Sequence, residues 1–185
     1  CAAITERFDT QKNISRGEVF VWGSNAYGQA GRGFVSKREN VPRPVAYEGK
    51  HRPFQVAVGA RHVALIDCKG QLLTWGDGGL GQLGHGDIRP RLTPTLYSGA
   101  DDFKQLVAGP NFNFAITKAG QVMSWGDNSN GQLGFPRSHN GCVPAQLQVL
   151  RGETIVTIAA GATHVLALTA TGTVYSWGDN RYGAL

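Results

Sequence analysis

Every tryptophan in the chain is followed by glycine: Trp22-Gly23, Trp75-Gly76, Trp125-Gly126 and Trp177-Gly178, at spacings of 53, 50 and 52 residues. Each Trp lies five residues after one glycine (Gly17, Gly70, Gly120, Gly172) and six before another (Gly28, Gly81, Gly131, Gly183). Self-similarity at a period of about fifty residues confines the fold to a propeller or a solenoid, because each copy buries its apolar face only against the next.

A second motif recurs between the tryptophans: Val56-Ala57-Val58-Gly59-Ala60-Arg61-His62, Leu106-Val107-Ala108-Gly109-Pro110-Asn111-Phe112 and Ile158-Ala159-Ala160-Gly161-Ala162-Thr163-His164. Apolar runs within a unit are short, rich in β-forming residues and bounded by Gly, Pro, Asn or Asp, and no window holds a helical period over about ten residues. The linkers add two more β-prone runs, such as Thr93 to Tyr97 and Phe103 to Val107. The unit therefore carries about four strands, the count of a propeller blade, and the fold class is an all-β propeller of four-stranded blades. Glycine in Asp67-Cys68-Lys69-Gly70, Lys118-Ala119-Gly120 and Ala170-Thr171-Gly172 marks hairpins that need a positive φ. Each Trp is expected to fill the space between neighbouring blades with its indole N–H paired.

These residues carry a specific resemblance. Gly-x-Val-x-x-Trp-Gly-x-x-x-x-Gly-Gln-Leu-Gly, joined to Val-Ala-x-Gly-x-x-His, resembles the repeat of the regulator of chromosome condensation family over residues 17 to 185. Gly70 to Gly84 and Gly120 to Gly134 are the fullest copies; the first copy has Ala30 for Leu, and Phe112 stands where His62 and His164 stand elsewhere. The resemblance implies a seven-bladed propeller. It also implies a choice of roles: guanine-nucleotide exchange on a Ran-type GTPase, chromatin binding, a domain of a ubiquitin ligase, UV-B sensing, or scaffolding. UV-B sensing needs tryptophans clustered at a subunit interface, whereas all four here serve the repeat position, which disfavours it.

At about 52 residues per unit, 185 residues hold about three and a half units, while propellers have about four to eight blades. The expected division is a lead-in at 1–16, then units at about 17–69, 70–119, 120–171 and an incomplete 172–185, with sequence continuing beyond both ends to complete the ring. The composition, with 41% hydrophobic residues, fits a globular domain, and no apolar run nears the ~18 residues of a transmembrane helix. Three scattered cysteines, Cys1, Cys68 and Cys142, suit neither a disulfide framework nor a zinc site and point to a reducing intracellular compartment, cytoplasmic or nuclear.

The net charge of +5 is uneven: residues 1–61 hold ten Lys/Arg against five Asp/Glu, and residues 62–185 hold eight of each. Much of the surplus falls in one connection, where Arg32, Lys37, Arg38, Arg43, Lys50 and Arg52 form a candidate basic loop for phosphates or an acidic partner. Arg89 and Arg91 are a second, weaker pair of contact candidates. His62 and His164 read as structural groups at the start of a strand, and Asp77, Asp127 and Asp179 as turn carboxylates accepting N–H bonds from two residues on.

No catalytic pattern stands out. Gly79-Leu80-Gly81-Gln82-Leu83-Gly84 matches a dinucleotide fingerprint only in letters, since no βαβ unit surrounds it, and phosphate-loop, serine-elbow and zinc-protease motifs are missing from the sequence. The expectation is a non-enzymatic protein-interaction scaffold, without cofactor or metal, in a larger protein or assembly. The alternatives are a nucleotide exchange factor for a Ran-type GTPase, or a chromatin or nucleic-acid binder acting through the basic loop.

Overall fold

The computed structural model describes residues 1–9, 14–46, 51–99, 102–136 and 140–185. Its strands are β1 (Ala2–Asp9), β2 (Ile14–Asn25), β3 (Ser36–Pro44), β4 (Pro53–Val58), β5 (His62–Asp67), β6 (Leu72–Gly76), β7 (Arg91–Leu96), β8 (Phe103–Ala108), β9 (Phe112–Thr117), β10 (Val122–Gly126), β11 (Gly141–Gln146), β12 (Ile155–Ala160), β13 (His164–Thr169) and β14 (Val174–Gly178). They form four antiparallel sheets, ordered β1-β2-β3, β4-β5-β6-β7, β8-β9-β10-β11 and β12-β13-β14. Each four-stranded sheet takes its first two strands from the end of one sequence unit and its last two from the start of the next. Strands β4, β8 and β12 neighbour one another across the sheets, and Gln55 ties the first two by donating Nε2–H to the Leu106 carbonyl (2.9 Å) and accepting the Leu106 N–H (2.9 Å).

The segment before residue 17 is corrected by these pairings. It carries no repeat motif, yet Ala2–Asp9 pairs along its whole length with β2, so it is a strand of the first sheet and not a lead-in to it. Ala2 faces Val21 as Ala64 faces Thr74 in the next sheet, which places β1 where β5 lies. Gly17, in turn, falls inside β2, where a side chain would meet Pro53 and Arg52.

The repeat motif is the seam between sheets. Trp75, Trp125 and Trp177 each donate the indole N–H to a glutamine carbonyl of the preceding sheet: Gln29 (3.0 Å), Gln82 (3.1 Å) and Gln132 (2.9 Å). The same glutamine side chains fold back to accept the N–H of Tyr27, Leu80 and Asn130, tightening the turn that presents the carbonyl. Next to them Ala30, Leu83 and Leu133 are buried. The closing glycines Gly31, Gly84 and Gly134 lie so near the next indole that a Cβ would come within 2.9, 3.1 and 3.3 Å of its nitrogen. The glycine after each tryptophan has its own cause: Gly76, Gly126 and Gly178 hold φ of 104°, 108° and 111°, where a side chain would be driven into the carbonyl of Arg61, Asn111 or Thr163. Each seam closes over an apolar cluster shared by two sheets, such as Val19, Val21 and Val45 with Leu65 and Trp75, or Leu72 with Phe103, Leu106 and Trp125. Among the described residues no sheet precedes that of Trp22, which is half-buried.

Candidate interaction surfaces

Strand direction divides the loops between two rims. Turns 59–61, 109–111 and 161–163 share one rim with the long connections 77–90 and 127–136, and turns 68–71, 118–121 and 170–173 share the other.

On the first rim the recurring polar residues are spent on the fold. Asp77, Asp127 and Asp179 accept the N–H of Gly79, Ser129 and Arg181, each at 3.0 Å, the turn role read from the sequence. His62, Phe112 and His164 lay their rings across Gly59, Gly109 and Gly161, where any Cβ would collide with them. His62 is fully buried and bonds Asn113 Oδ1 across the seam (2.9 Å); desolvation pushes its imidazole below the ordinary value, against the opposing pull of Asn113 and of Asp77. His85 is likewise lowered, first by burial and then by Arg91, and bonds the Thr74 hydroxyl at 2.9 Å. Arg61 projects from this rim, 4.6 Å over the Tyr27 ring of the first sheet and 4.0 Å from Asp77.

The six basic candidates do not form one loop. Residues 36–44 are strand β3, at the outer edge of the first sheet, where they pair antiparallel with β2. Lys37 and Arg38 are exposed at the first-rim end of β3, beside a cleft with Trp22 and Ser24. Arg43 is exposed near the other end, and Arg52, half-buried, precedes β4 on the second rim. Lys50 lies outside the described residues. Arg32 is a fold residue: its guanidinium donates to the carbonyls of Pro44 (3.0 Å), Val21 (3.2 Å) and Arg43 (3.0 Å), and Glu39 stands 3.8 Å away. It stands ten residues after Trp22, the position that His85 and Phe135 hold after Trp75 and Trp125. Arg91 is also engaged, with Asp87 at 2.8 Å; that bond, with the Arg89 N–H, holds the Asp87 carboxyl below its usual range.

The second rim holds cations that the sequence pattern did not single out. A groove of about 460 Å³ between the 118–121 turn and the linker 146–155 is lined by Lys104, Lys118, Arg151 and Glu153. Lys118 is fixed there by Asp102 (2.9 Å) and the Lys69 carbonyl (3.1 Å), and Glu153 accepts the Tyr175 hydroxyl (3.1 Å). These residues come from three separate segments, so no local motif announces them. Among the described residues no group of three His, Cys, Asp or Glu could hold a metal ion, and no helix is long and apolar enough to cross a membrane.

Comparison with known proteins follows the same repeat. The family model of the regulator of chromosome condensation repeat matches residues 16–66, 69–116 and 119–168, and a second model of that repeat matches 103–132 and 155–184. The chain is 37% identical over 174 residues to the human E3 ubiquitin-protein ligase HERC2, covering 91% of this chain and 4% of that protein. It is 36% identical over 170 residues to the Arabidopsis thaliana ultraviolet-B receptor UVR8, covering 90% of this chain and 38% of the receptor. The solved Saccharomyces cerevisiae Prp20p, studied for its binding to Gsp1p and histones, superposes with a TM-score of 0.76 at 28% identity over 89% of this chain and 40% of that one. The chain thus spans less than half the length of each of these relatives.

Proposed function

This chain belongs to the regulator of chromosome condensation repeat family, and from that premise we propose that it is a non-enzymatic scaffold, a propeller that holds partner proteins on its rims within a larger protein or assembly. The observation that carries this reading is the division of labour among polar groups. The repeated Trp, Gln, Asp and His are consumed in seams and turns. What differs from blade to blade, including Arg61 on one rim and Lys104 and Arg151 on the other, is exposed and unrepeated. A rigid frame with variable loops is the arrangement that binding domains share. Partner identity on this reading lies in the loops, as the relatives' differing names suggest.

The likeness to Prp20p favours a second reading, nucleotide exchange on a Ran-type GTPase, in which rim loops stabilise the nucleotide-free state. Release of fluorescent GDP separates the two. On the scaffold reading, release from a Ran-type GTPase is unchanged by an excess of the full-length protein; acceleration at catalytic amounts of propeller overturns it. Chromatin binding through β3 would instead show salt-sensitive affinity that is lost when Lys37, Arg38 and Arg43 are neutralised.

A further inference from the structure

Beyond any choice of partner, we infer that the seam between the second and third sheets is an acid-sensitive latch: neutral His62 holds β5 to β9 through Asn113, and its protonation parts this seam while the seam between the third and fourth sheets stays closed.

The hydrogen bonds fix the imidazole's state. Asn113 Nδ2 donates to the Gln82 carbonyl at 2.8 Å, so its Oδ1 faces His62 and can only accept. His62 Nε2 therefore carries the proton, and Nδ1 is a bare acceptor, wholly buried and without a partner. A second proton would place a buried N–H where no acceptor waits, a cost that the parted state avoids by admitting water. The charged groups near the ring do not remove it. Asp77, on the β6 side, favours the cation but is engaged by Arg61 and by the N–H of Gly79. From the third sheet the ring meets Asn113 and the 109–111 turn, neither of them titratable, while Asp127 is taken up by Ser129. The ring's ordinary value is 6.5 and burial lowers it, so the closed seam is fully favoured above that pH and loses ground as pH falls through and below it.

The next seam is built from other residues at the same positions. Phe112 replaces His62 and packs edge-on against Phe114, which packs on Trp177 at 5.7 Å; Val165 replaces Asn113. The Ala60 N–H that bonds the Pro110 carbonyl (2.9 Å) has no counterpart there, since Pro110 has no N–H to give. One seam is thus polar and titratable, the other aromatic and indifferent to pH.

The latch has its own reporter, because the Gln82 carbonyl that holds Asn113 also accepts the Trp125 indole. The test is fluorine NMR of the full-length protein labelled with 5-fluorotryptophan, titrated from about pH 7.5 to about pH 5, with resonances assigned by single Trp→Phe changes. The latch predicts that the Trp125 resonance moves or splits below about pH 6.5 and that the Trp177 resonance does not. It also predicts that amides of β5 and β9 exchange faster relative to those of β13. In His62→Gln, which keeps the donor and cannot titrate, Trp125 becomes flat. The double change His62→Phe with Asn113→Val, which transplants the neighbouring seam, is equally flat. A Trp125 resonance that holds still in the native chain, or that moves as much in His62→Gln, overturns the proposal.

Discussion

The glutamine of Gly-Gln-Leu-Gly works at three places: its side chain closes its own turn, its carbonyl holds the next sheet's indole, and its neighbours fill the seam. Truncating a seam tryptophan therefore removes a large buried surface and orphans a carbonyl. Trp125→Ala should cost about 3–5 kcal/mol, read as a lowered midpoint in urea unfolding. The half-buried Trp22 should cost clearly less on the same change. Two glycines with similar backbones make a sharper comparison. Gly84 (φ 77°) has Trp125 Nε1 and Pro144 Cδ within 3.2 Å of a would-be Cβ, whereas Gly120 (φ 84°) has nothing within 4 Å. Gly120→Ala should lose only the conformational cost of about 1–2 kcal/mol, and Gly84→Ala distinctly more, because the indole must also move. Equal losses in urea titrations would contradict the seam as described.

Strands were legible in the sequence wherever the repeat marked both ends, as with β5, β6, β9 and β10, whose residues are buried throughout. β1 was not, since Ala2-Ala3-Ile4 is a short run without the Gly-x-x-His that introduces β5 and β13. β3 was not either, because its charges read as a solvated loop, while the pairing with β2 that makes it a strand is set by backbone atoms. The outer strands share a device that explains their prolines. Inward N–H groups of Val45 and Tyr97 bond Val19 and Leu72, so by alternation Pro42 and Pro94 stand where an N–H would point outward from the sheet edge. There proline costs no ladder bond and denies a neighbouring chain a donor. Pro42→Val with Pro94→Val should leave stability within about 1 kcal/mol yet increase self-association by light scattering; unchanged scattering would remove edge protection as their role.

For the whole molecule, the excess charge is a property of the first third of the sequence, but folding disperses it. Arg32 is half-buried and bonded into the frame, Lys37 and Arg38 stand at one end of the outer strand, and Arg43 and Arg52 lie towards the other rim. The second-rim groove, lined by Lys104, Lys118 and Arg151, was invisible as a cluster because it is assembled from three separate segments, which local pattern reading does not join. The architecture was readable because every seam repeats the same bond from indole N–H to glutamine carbonyl; the interaction surface was not, because it is made of what each blade does differently. The measurement that tests the scaffold reading most directly is the native mass and composition of the particle that holds the full-length protein, isolated from its source without denaturation. The reading predicts a stoichiometric multi-protein particle that survives moderate salt; a lone chain with no stable partner would contradict it.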